Sequence, residues 1–212
     1  MDTALEWFFA PGGSATATLF HRDIKGYIQT YGVAETVNNV SYLVSVPESS
    51  GSGMLQGVEL GYQQFYDFLP DWLRGIGTQI NGTYIDSYTM SPASVGGTPV
   101  QQALANVSRY SFNVVGMYER GPYSFRLAYN WRSSYVIAFN AGGLQPQTIM
   151  SKPYGDLGLS ASYEAIPGLT FTLDIDNLTG TVSQNYFTNA AYYPRDTDRS
   201  DRTFQLGVRY KM

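Results

Sequence analysis

The closing stretch, Phe204-Gln-Leu-Gly-Val-Arg-Tyr-Lys-Met212, alternates apolar and polar residues without a break. Phe204, Leu206, Val208, Tyr210 and Met212 share one phase, and Gln205, Gly207, Arg209 and Lys211 share the other. A period of two is the strand period, so the stretch reads as a β-strand with one apolar and one polar face. Such a strand suits a membrane barrel wall, with lipid outside and a polar lumen inside. A half-buried strand of a soluble sandwich alternates in the same way, so the rest of the chain has to decide.

Working outward from that stretch, the same alternation recurs in Asp2–Ala10, Ser14–Ile28, Leu55–Phe65, Gly75–Tyr88, Ser108–Glu119, Tyr123–Trp131, Tyr154–Glu164 and Leu169–Leu178. The clearest repeat sets Tyr123, Phe125, Leu127, Tyr129 and Trp131 against Ser124, Arg126, Ala128 and Asn130. A bulge is expected at Phe20-His21, where the phasing blurs. Nine strands result, and their connections alternate in length. Pro11–Gly13, Asp67–Arg74, Arg120–Pro122 and Ala165–Gly168 are short. Gln29–Gly53, Thr89–Val107, Arg132–Pro153 and Thr179–Arg202 are long, polar and read as loops, the first with a strand extension at Tyr42–Val46. Outer-membrane barrels keep short turns on one side and long loops on the other, whereas a Greek-key sandwich has no reason to do so. Aromatics gather at strand ends, as in interfacial girdles. Arg126 and Arg209 then have to point inward, because an Arg facing lipid near the midplane costs about 2–4 kcal/mol.

Composition agrees with this reading. Charged residues make up only 14% of the chain, yet mean hydropathy is −0.20, as expected where half of each strand faces water. No run of 18 apolar residues occurs, which excludes transmembrane helices. A net charge of −4 argues against nucleic acid as a partner. With no Cys there is neither a disulfide framework nor thiolate chemistry. The chain enters its strand pattern at Asp2 with no basic and apolar leader ahead of it, and is expected to be part of a longer protein.

Several segments together resemble the C-terminal part of the β-barrel of a TonB-dependent outer-membrane receptor. They are Leu5-Glu-Trp-Phe-Phe-Ala-Pro-Gly12, Leu19-Phe-His-Arg-Asp-Ile-Lys-Gly26, Gln56-Gly-Val-Glu-Leu-Gly-Tyr62, Tyr84-Ile-Asp-Ser87, Ser108-Arg-Tyr-Ser-Phe-Asn-Val-Val115 and Asp176-Asn-Leu-Thr179. Gln205, Gly207, Tyr210 and Met212 are similar to the closing signal read by the barrel assembly machinery, with Met in place of the usual Phe. The resemblance implies an all-β antiparallel meander, with residues 1–212 as one part of a barrel of 22 strands in the outer membrane of a Gram-negative bacterium. It implies a separate plug, absent here together with the TonB box and the first strands, through which TonB energises uptake of a small nutrient. The partners so implied are outer-membrane lipid, the assembly machinery, TonB by way of the plug, and the nutrient; no cofactor or bound metal is implied. A small self-contained barrel and a soluble β-sheet binding module are the alternatives from the residues alone.

Catalysis has little support. His21 is the only histidine and lies in a strand without a nucleophile motif. Asp196-x-Asp198-x-x-Asp201 lacks the Gly and later Glu of a calcium loop and is interleaved with Arg195, Arg199 and Arg202. Asp174 and Asp176 are expected to line the lumen. The ligand-binding candidates are aromatics and amides of the third and fourth long loops: Tyr135, Phe139, Asn140, Gln145, Asn185, Tyr186, Phe187, Tyr192 and Tyr193. Aromatic faces beside amides suit a neutral oligosaccharide, whereas an anionic iron–siderophore would call for clustered Arg or Lys. The two ligand classes are therefore oligosaccharide, which the loops favour, and iron chelate.

Overall fold

The structure is a computed structural model and describes residues 1–92, 98–141, 147–190 and 193–211. Its strands are β1 (Asp2–Ala10), β2 (Gly13–Val37), β3 (Val40–Phe65), β4 (Ile76–Pro92), β5 (Pro99–Gln102), β6 (Tyr110–Arg120) and β7 (Tyr123–Arg132). They continue with β8 (Tyr135–Ala141), β9 (Gln147–Ser151), β10 (Tyr154–Ile166), β11 (Leu169–Asp176), β12 (Val182–Phe187), β13 (Asp196–Arg199) and β14 (Thr203–Tyr210). The nine strands expected from the alternation form one antiparallel meander, in the order β1-β2-β3-β4-β6-β7-β10-β11-β14, with β5 as a side branch on β4. Among the described residues β1 pairs only with β2 and β14 only with β11, so this sheet has two open edges.

Register fixes the two faces. One cross-strand row runs Tyr118–Phe125–Ala161–Leu173–Leu206, and the next runs Gly116–Leu127–Leu159–Ile175–Phe204. Further along the sheet the same phase carries Leu5, Ala17, Leu60, Gly82 and Phe112 in one row. This apolar face is the one read from the sequence, and its side chains are exposed or half-buried, Leu206 exposed by 85%. In a bilayer they are covered by hydrocarbon instead of water. Aromatic pairs edge the belt: Tyr123 stacks on Tyr163 at 5.1 Å near the short turns, while Tyr84–Tyr110 and Phe112–Trp131 lie at 5.3 and 5.2 Å on the other side. From Tyr123 to Trp131 is eight residues, about 26 Å along the strand and about 20 Å along the normal at a barrel tilt near 40°. That is close to the height of an apolar membrane band. Arg126 and Arg209 sit on the opposite face, Arg126 paired with Glu119 at 2.8 Å.

Two expectations are corrected. The bulge lies not at Phe20-His21, where pairing with β3 is unbroken, but around Gly26, which has φ +69°. The stretch Gln29–Gly53 is strand and not loop: β2 and β3 stay paired to Val37 and Val40 and reverse at Asn38-Asn39, both at positive φ. Two left-handed residues make the tight turn that matches strand twist, and Asn tolerates that conformation. The alternation is weak there because a projecting hairpin has no lipid-covered face to require it.

The other three long connections also hold strand. The third and fourth pair with each other in a second sheet, β13-β12-β9-β8. Among the described residues the buried large apolar side chains Tyr31, Leu104, Val136 and Ile149 lie in the long connections, and Met117 is the one that lies in the wall.

Candidate functional site

The long connections form one hydrogen-bonded cap at a single end of the sheet. Tyr31 of the β2–β3 hairpin donates its hydroxyl to the Pro92 carbonyl at 2.8 Å, and Ser91 donates to Gln29 Oε1 at 2.9 Å. Asn106 N–H, on the next connection, donates to the Val136 carbonyl at 2.7 Å. Strand β8 pairs with β9, β9 with β12 and β12 with β13. Pairing across β9 and β12 joins the third long connection to the fourth.

Below the cap the polar face holds a recess of about 570 Å³. Its floor is a ladder of amides on adjacent strands, Asn81–Asn113–Asn130, with Asp156 next in register. Asn113 Nδ2 donates to Asn130 Oδ1. One row nearer the cap lie Thr83, Ser111, Arg132 and Tyr154. Arg132 is held from three sides: its guanidinium lies 4.0 Å over the Tyr135 ring, Nε donates to Ser108 Oγ at 2.9 Å, and Nη2 donates to the Asn106 carbonyl at 3.3 Å. A cation so fixed adds a positioned donor to a wall of amides, hydroxyls and apolar side chains, Leu55, Ile85, Val107, Phe112 and Trp131 among them. Asp156 supplies one opposing charge. The arrangement can hydrogen-bond a polyhydroxylated solute without imposing a strong field.

The candidates named from the sequence are placed unequally. Tyr135 opens β8 and joins the recess to the cap through Arg132. Phe139 lies half-buried in β8. Asn185, Tyr186 and Phe187 lie in β12, opposite Ser151, Met150 and Ile149 of β9. Tyr135 also pairs with Ser151, so Tyr135 and Asn185 flank one buried serine, about 9.5 Å apart at two strand spacings. Asn185 donates to Asp196 Oδ1 at 2.5 Å, and Arg195 lies 5.7 Å over the Phe187 ring, so both candidates take part in the cap's own bonding. Tyr193 stands apart, 76% exposed, on the β12–β13 connection. Gln145 and Tyr192 lie outside the described residues, as does the side chain of Asn140.

Of the closing signal, Gln205, Gly207 and Tyr210 lie in β14 opposite Asp174, Thr172 and Leu169; Met212 lies outside the described residues. The other weighed residues are absorbed locally. His21 faces Gln56 and Asp23, Asp196 pairs with Arg195, and Asp174 accepts from Ser160 at 2.7 Å. Among the described residues no group of three or more His, Cys, Asp or Glu lies together as metal ligands. Sequence reading missed Asn81, Asn113, Asn130 and Arg132. The three asparagines showed only as polar-phase residues of their own strands and Arg132 as the first residue of a loop, and their assembly at one site depends on register between strands.

Comparison with known proteins supplies the family. A family model described as "TonB dependent receptor-like, beta-barrel" matches residues 1–178. No curated protein sequence matches the chain. A solved structure of a copper transporter, OprC, superposes with a TM-score of 0.67 at 16% identity over 99% of this chain and 30% of that one. The siderophore receptor PiuA from Acinetobacter baumannii superposes with a TM-score of 0.63 at 14% identity, over 99% of this chain and 28% of that one. The chain thus spans less than a third of either protein's length, and at these identities the likeness speaks for the fold. Nine meandering strands with a lipid-phase belt, and a family match over most of the sequence, agree: the chain belongs to the TonB-dependent receptor β-barrel family.

Proposed function

We propose that residues 1–212 are the C-terminal wall of an outer-membrane uptake receptor, completed elsewhere by the remaining strands of a 22-stranded barrel and a plug. Two open sheet edges support this, because unpaired backbone groups in lipid cost several kcal/mol each and a barrel exists to remove them. TonB would act through the plug. The assembly machinery would read β14 through Gln205, Gly207, Tyr210 and Met212.

The ligand is a neutral, polyhydroxylated solute of the oligosaccharide class. One observation carries this reading: the Asn81–Asn113–Asn130 ladder beneath Arg132 and Tyr135, in a recess of about 570 Å³. Amide donors and acceptors beside an aromatic face match hydroxyl groups and sugar rings. Tyr135, Phe139, Asn185, Tyr186, Phe187 and Tyr193 would act from the cap above, with Tyr135 nearest the recess; Asn140, Gln145 and Tyr192 are candidates from the sequence alone. Uptake of a metal or siderophore, which the names of the two fold neighbours bring forward, is the competing reading. A strain deleted for the receptor should regain growth on glycans when given the native protein, and much less with Asn113→Leu or Asn130→Leu. A defect confined to iron or copper starvation would overturn the oligosaccharide reading.

A further inference from the structure

The belt is not uniformly bulky. On its lipid-facing side a groove of about 590 Å³ crosses β7, β10, β11 and β14. Its floor is Ala161, the one small side chain in a row where Phe125 stands on one side and Leu173 on the other. The end toward the short turns is closed by the stacked rings of Tyr123 and Tyr163. Arg120 lies opposite Tyr123 in register and donates both to the Asp71 carbonyl and, at 2.8 Å, to Asp71 Oδ2. Arg74 approaches the same carboxylate at 3.6 Å, and the exposed ring of Trp72 is its chain neighbour. The two phenols therefore stand between the groove and a rim that carries both signs of charge.

We propose that this groove seats one acyl chain of a zwitterionic phospholipid, with its phosphate against Arg120 and Arg74 and its ammonium against Asp71. Three observations single out that occupant. The groove is continuous with the apolar belt, so its surroundings are hydrocarbon. The phenols and Trp72 sit where interfacial aromatics mark the headgroup level. The rim pairs two guanidinium groups with an exposed carboxylate, which matches a headgroup bearing both charges better than a purely anionic one. The inference rests on reading the apolar face as a membrane wall, and the test separates the two.

The full-length receptor, in vesicles of phosphatidylethanolamine and phosphatidylglycerol, would be irradiated with a mid-chain diazirine analogue of either lipid and its adducts mapped. The expected result is a severalfold excess of phosphatidylethanolamine adducts at Phe125, Ala161 and Leu173 over Leu5 and Leu19 of the same belt. Ala161→Phe should remove the excess while leaving the other belt adducts in place. Asp71→Asn should keep adducts in the groove but lose the preference for phosphatidylethanolamine over phosphatidylglycerol, because only the former carries the ammonium that Asp71 would hold. Should Ala161→Phe fail to assemble, the native map and Asp71→Asn decide alone. Even labelling around the belt overturns the proposal, and so does an excess that survives Ala161→Phe or equal labelling by both lipids. No adducts anywhere on the belt would sink the wall reading itself.

Discussion

Leu127 and Ala128 are neighbours in sequence but face different solvents. Leu127 lies on the belt between Gly116 and Leu159, and Ala128 lies on the polar face between Val115 and Gly158. Leu127→Arg should lose about 2–4 kcal/mol of stability in the assembled receptor, while Ala128→Arg should lose much less. Heat-modifiable migration and the urea midpoint measure both, and equal losses would show the phase of β7 to be wrong. Glycines divide in the same way. A Cβ on Gly57 would run into the Tyr84 carbonyl oxygen and the Phe20 ring, whereas one on Gly82 meets nothing within 4 Å. Gly57→Ala is expected to cost about 1–3 kcal/mol through overpacking against backbone, and Gly82→Ala close to nothing. If the two midpoints fall together, the β3–β4 register described above is incorrect.

At the scale of elements, the tip of the β2–β3 hairpin and the seam between the third and fourth long connections are most open to test. Asn39 holds φ +65°, which a β-branched residue adopts only with strain of about 1–2 kcal/mol. Asn39→Val should therefore speed proteolysis at the tip in whole cells, and Asn39→Gly should not; a tip indifferent to both would mean that the turn does not set the hairpin. Ser151, 1% exposed, sits between Tyr135 and Asn185 where the third and fourth connections join. Ser151→Phe is expected to part β9 from β12, impairing ligand uptake while heat-modifiable migration persists. Retained uptake with a demonstrably opened seam would detach the cap from ligand binding.

For the molecule as a whole, the open edges make the strongest claim. Expressed without the rest of a barrel, residues 1–212 should stay protease-sensitive in detergent, since among the described residues β1 and β14 each pair along one edge only. A monodisperse, heat-modifiable species would instead favour a small self-contained barrel. The sequence by itself determined the nine wall strands, their lipid-facing phase and the alternation of short and long connections. Each of these follows from a periodicity of two and from turn residues, both local along the chain. Tertiary structure decided the rest. Continuation of β2 and β3 to Asn38-Asn39 carries no two-sided pattern, because neither face of that hairpin meets lipid. The amide ladder joins residues from three strands, and the Ala161 groove is a gap between rows, so both depend on register across strands. Register is set jointly by the hydrophobic patterns of neighbouring strands and by the turns that join them, so no single strand's sequence contains it.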